Sequence, residues 1–164
     1  TTIAVTDTRA TSYTVLHVAF GAFRRVWIAY GIAPSSGANT VTADPDLLAD
    51  KDLVIAIDEF SGVNATPLDV DGGSSTDTGT AVSDSITTIA ANAIIIGMMS
   101  HEGDGVTITP AGAYTQFAEF ETSVGLLNMN AVFRVVSTAQ AYSVDWTLGS
   151  SQNWFAQTVS FKPA

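Results

Sequence analysis

The feature that most constrains this chain is that its β-branched and aromatic residues come in short blocks, each closed by a cluster of Gly, Pro, Asn, Asp or Ser, while helical periodicity is almost absent. Blocks such as "SYTVLHVAF", "VTITP" and "NWFAQTVSFK" have the length and composition of single strands, and the clusters between them reverse the chain. Twelve blocks qualify, one or two more than a domain of this size is expected to hold. No Ser-, Pro- or Gly-rich linker divides the sequence and no fixed repeat is evident, so the expectation is a single domain over residues 1–164. Its predicted architecture is all-β, an antiparallel two-sheet β-sandwich of jelly-roll type.

Alternation assigns faces within the blocks. In "YSVDWTLG", Tyr142, Val144, Trp146 and Leu148 share an inward face. In the last block Phe155, Val159 and Phe161 share one face, which leaves Trp154, Ala156, Thr158 and Ser160 on the other and predicts Trp154 to point outward. "LVIAIDEF" and "AIIIGMM" are apolar on both faces and are expected to be central strands, with Asp58 and Glu59 bringing the end of the first to solvent or to an Arg. The one helix signal is "ADPDLLADKDL", where Asp44 could cap and Pro45 could open a turn or two.

Charge narrows the partners. The net charge is -10, and the six basic residues are scattered, so no stripe exists that could neutralise a phosphate backbone. Nucleic acid is therefore not an expected partner. "IAANAIIIGMM" is shorter than the ~20 residues that span a bilayer, so membrane insertion is not expected either. Without cysteine, disulfides, thiolate metal sites and a cysteine nucleophile are all excluded. The sequence opens at Thr1 with no initiator Met, which reads as a processed product or a fragment.

The stretch that looks most like chemistry is "TPLDVDGGSSTDTGTAV". Asp69 and Asp71 have the spacing of the first two ligands of a calcium loop, and Asp77 could join them if the chain curls. Against calcium, no Glu follows to close the coordination, and a Gly/Ser/Thr-rich solvated loop between strands accounts for the same residues. A second acidic group, Asp44, Asp46, Asp50 and Asp52, reads as capping and as charge that protects a strand edge. His17 and His101 lie in different blocks, so zinc would need a third ligand from the fold, for example Glu102. No serine sits in a G-x-S-x-G elbow. Glu119 and Glu121, at i and i+2 of one strand, are neighbours and do not straddle a substrate. No cofactor is expected and no catalytic residue is assigned. Trp27 and Trp154 are the candidate ligand or interface residues, as sugar platforms or subunit anchors, while Trp146 belongs to the core.

Three stretches carry a resemblance. "VWIAYGIAPSSGANTVTA", "VIAIDEFSGVNATPLDVDGGSSTDTGTAVS" and "VDWTLGSSQNWFAQTVSFKPA" resemble a β-sandwich domain that recurs in tailed-phage structural proteins and in secreted or surface proteins of bacteria. The resemblance implies a non-enzymatic module on a virion or cell surface, its motifs being structural, and it supplies no functional residues. The expected role is a capsid decoration or other phage surface component that assembles with copies of itself and with other virion proteins. The alternative is a carbohydrate-binding module of a secreted or adhesive protein, with Trp27, Trp154, Tyr30 and Tyr114 as stacking surfaces.

Overall fold

In the computed structural model every regular element among the described residues is a β-strand, and every pairing is antiparallel. The structure describes residues 3–20, 24–45, 53–120 and 127–164, in two compact units, Thr1–Ile55 and Ala56–Ala164.

The first unit holds β1 (Ile3–Asp7), β2 (Thr14–Phe20), β3 (Arg24–Tyr30) and β4 (Val41–Pro45). β1 pairs with β4, and β2 with β3. Asp7 ties the connections together. Its carboxylate accepts from the Arg9 and Thr11 amides, the Tyr13 hydroxyl and the Asn39 side chain. Burial alone would raise its pKa, but the hydrogen bonds from Thr11, Asn39 and Tyr13 outweigh that and hold it well below the usual carboxylate range. Arg9 reaches across to the carbonyls of Ser35 and Ala38. Gly37 is required beneath it, since its φ is +118° and a Cβ there would lie 2.5 Å from the guanidinium. Asp44 and Pro45 end β4. The rest of the expected helix, including Asp46, Asp50 and Asp52, lies mostly outside the described residues.

The second unit is built on two long strands. β5 (Val63–Thr87), β6 (Ile94–His101), β7 (Ile108–Pro110), β8 (Thr115–Phe120), β9 (Asn128–Val135) and β10 (Ala141–Pro163) form a six-stranded sheet ordered β5-β10-β6-β9-β8, with β7 on the outer part of β10. The blocks "YSVDWTLG" and "NWFAQTVSFK" are thus one strand. A register shift between Thr147 and Gln152 divides it into an outer part paired with Ala81–Thr87 and an inner part paired with β6 and the first part of β5.

The outer part turns back over the sheet to which it belongs. At Gly97 of β6, a Cβ would lie 2.5 Å from Val144 Cγ1 and 3.1 Å from the Trp146 ring, so β10 pairs beside β6 with one part and packs on it with the other. Val82, Ile86, Ile95, Met99, Val132, Val144, Trp146, Leu148 and Trp154 fill the space between. The expected inward face of "YSVDWTLG" is found, with Val144, Trp146 and Leu148 buried, and "AIIIGMM" supplies the central strand β6.

Three expectations are corrected. "LVIAIDEF" forms no strand, and Ile55 and Ile57 stand 50% and 64% exposed. A central strand needs two free edges to pair with as well as an apolar sequence; β10, β6 and β9 already occupy the middle of the sheet. Trp154 is 5% exposed and belongs to the core, because the face of β10 it shares with Ala156 is the one that meets the core cluster, while Asn153 beside it is exposed. The Asp69 to Asp77 stretch is not a loop. It lies within β5, where bulges absorb the Gly72–Gly73 pair and the Ser/Thr residues suit a half-exposed border strand.

Candidate functional site

Each acid of the suspected calcium stretch is bound to the protein itself. Asp69 accepts from the Ile89 and Ala90 amides at 3.0 and 3.1 Å and from the Ser160 hydroxyl at 3.0 Å, joining β5 to the turn before β6 and to β10. Asp71 accepts from the Gly73 amide and Asp77 from the Thr78 amide. The missed acid is Asp84. Only 5% exposed, it accepts from the Ser75 hydroxyl at 2.8 Å and the Thr158 hydroxyl at 3.0 Å. Its position among Val82 and Ile86 in strict alternation was the available signal, since an acid on an inward face must find donors. Among the described residues no group of three or more His, Asp or Glu side chains is arranged to hold a metal ion.

The histidines belong to different units. His101 is buried at the end of β6, with Nδ1 2.8 Å from the Glu102 carbonyl, while the side chain of His17 lies outside the described residues. Glu119 accepts from Gln116 at 2.9 Å on the exposed border strand β8; Glu121 lies outside the described residues. Ser83 and Ser143 both donate to Asp145 on the surface, with no histidine in the arrangement.

The aromatic candidates divide. Tyr114 is a core residue whose hydroxyl donates to the Ser143 carbonyl, and Arg134 stands over its ring at 5.8 Å and over Tyr142 at 5.4 Å. Burial raises the Tyr114 pKa, and the Arg134 charge opposes that in part. Trp154 is also core, so of the four proposed stacking residues Trp27 and Tyr30 alone are half-exposed, both on β3.

A concave feature of the second unit mixes apolar and polar side chains. A groove of about 340 Å³ opens where β10 ends, lined by Phe60, Val63, Ile94, Phe133, Val135 and Phe161, with Glu59 and Lys162 at its rim. Phe60 meets Phe133 edge-on at 5.2 Å and Phe117 at 6.1 Å, which fixes one wall. Val135, which also lines it, is 65% exposed. The lining offers apolar contact from Phe60, Phe133, Val135 and Phe161 beside the polar Glu59, Ser61, Asn92 and Lys162. No family model, curated protein or solved structure matches the chain.

Proposed function

We propose that this chain is a non-enzymatic structural protein of a virion surface, a capsid decoration or comparable phage component that works through contacts with copies of itself and with neighbouring virion proteins. The observation that carries the reading is Val135, 65% exposed where it lines a groove with the aromatic rings of Phe60, Phe133 and Phe161. An apolar side chain held in water beside aromatic rings favours association, and burying it in a joint would contribute about 25 cal/mol per Å². The carboxylates of Asp69 and Asp84 support the same reading, because they are engaged in tying β5 to β10. The virion setting rests on the resemblance of the three sequence stretches. For the second unit we propose a sandwich, its layers being the two parts of β5 and β10 that face each other across Gly97.

Light scattering on the purified chain is expected to give a discrete closed oligomer, a trimer or larger, and Val135→Glu is expected to reduce it to monomer. A monomer at every concentration would remove the main support for this reading.

A further inference from the structure

β5 lies at one border of its sheet and has β10 as its only strand partner among the described residues. A border strand of 25 residues is a template on which another chain could add a strand. Three of its amides are taken instead by side chains of β5 itself: Thr66 by Asn64 at 3.0 Å, Gly73 by Asp71 at 3.1 Å and Thr78 by Asp77 at 2.7 Å. The first two sit at breaks in the ladder, between the Leu68 and Val63 pairs and between the Gly73 and Asp71 pairs.

The third faces outward, as the ladder itself requires. On β10 the Asn153 carbonyl accepts from Glu102 on the β6 side, whereas the Trp154 carbonyl accepts from Thr76 on the β5 side. Successive residues of a strand turn their amides to opposite neighbours. Asn153 is therefore turned away from β5, and Thr78, its partner in the register, turns its N–H to the open border, where the Asp77 carboxylate takes it. At the other border β8 has six residues, a register shift between Gln116 and Ala118, and Glu119.

We propose that Asn64, Asp71 and Asp77 guard the β5 border, stopping edge-to-edge pairing with another copy and confining association to other surfaces. At Thr78 the Asp77 oxygen occupies a donor that an added strand would need, at Thr66 and Gly73 the irregularities break the straight run, and two carboxylates repel a second acidic chain. This account concerns only the border strand and holds whether the chain is a closed oligomer or a monomer.

The test compares the wild-type chain with Asn64→Ala/Asp71→Ala/Asp77→Ala by light scattering over time, with electron microscopy of any large species. The triple variant should shift from the discrete wild-type mass to an open-ended distribution containing β-rich fibres, while Asp71→Asn/Asp77→Asn, which keeps the acceptor oxygens, should hold the wild-type mass. A folded triple variant that keeps the wild-type mass overturns the proposal. So does equal growth by the Asn variant. Should the triple variant not fold, Asp77→Ala alone decides, since it frees the outward Thr78 amide at a regular part of the ladder; slow growth is expected, and unchanged mass would overturn the guard.

Discussion

Trp146 donates its indole N–H to Oδ1 of Asn130 at 3.0 Å inside the core, joining the outer part of β10 to β9 beneath it. Asn130 in turn donates to Gln116 on β8 at 2.8 Å, and Gln116 donates to Glu119. One polar chain thus runs from the surface to a buried tryptophan. Asn130→Leu leaves the indole N–H without an acceptor and is expected to cost about 1–3 kcal/mol in urea unfolding. Gln116→Ala should cost less, because Gln116 is exposed and water can replace its oxygen. Equal losses from the two variants would mean that the indole bond is not what matters.

How much of this was legible in the sequence depends on what each strand has on its two sides. Alternation in "YSVDWTLG" gave the buried face because only one side of that part of β10 meets the core. It failed for Trp154, because Phe155, Val159 and Phe161 make the opposite face equally apolar, and the face that meets the core cluster is that of Trp154 and Ala156. The run "LVIAI" shows the opposite failure, since apolar composition does not say whether a pairing edge is free. For "DVDGGSSTD" the glycines and acids locally favour a loop, yet the partner sequence in β10 overrides that preference by offering a ladder from Asn153 to Phe161. The groove could not be foreseen, because Phe133, Val135 and Phe161 are brought together by the pairing of β9 and β10 with β6, and Phe60 joins them from outside the strands.

Asp7 and Tyr13 make a linked pair of pH predictions. The Asp7 carboxyl is held below its ordinary range, so its ionised form stabilises the fold of the first unit fully above about pH 4, and that contribution is lost as pH falls through the depressed folded value. Tyr13 is shifted the other way, by burial and then by its bond to Asp7 and the Asp7 charge, so its contribution holds below about pH 10 and is lost as pH rises through the raised folded value. NMR titration is expected to show the Arg9 and Thr11 amides unchanged until well below pH 4. Asp7→Asn should bring the Tyr13 titration down toward that of free tyrosine. An unshifted Tyr13 in that variant would place the cause in burial alone.

Gln157 is fully buried, and neither its amide nitrogen nor its carbonyl oxygen has a hydrogen-bond partner among the described residues. It stands in register between Met98 of β6 and Ser74 of β5. An unpaired buried amide opposes folding, so Gln157→Met, of similar length and without polar hydrogens, should stabilise the chain by about 1–3 kcal/mol. Chemical denaturation reads the change directly. A loss of stability would show that the amide is paired in solution.

Calcium gives the last test, because it competes with bonds already described. The ion takes about six to eight oxygens and would have to draw Asp69 from two amides and a hydroxyl, and Asp71 and Asp77 from one amide each. Those donors would then be left unsatisfied, which works against the gain from coordination. The melting temperature is accordingly expected to stay the same with excess calcium or with chelator. Asp69→Ala should lower stability by about 2–4 kcal/mol in either condition, since it strips the Ile89 and Ala90 amides and the buried Ser160 hydroxyl of their common acceptor. A rise of several degrees with calcium, abolished by Asp69→Ala, would instead show that these carboxylates exchange their internal donors for a cation.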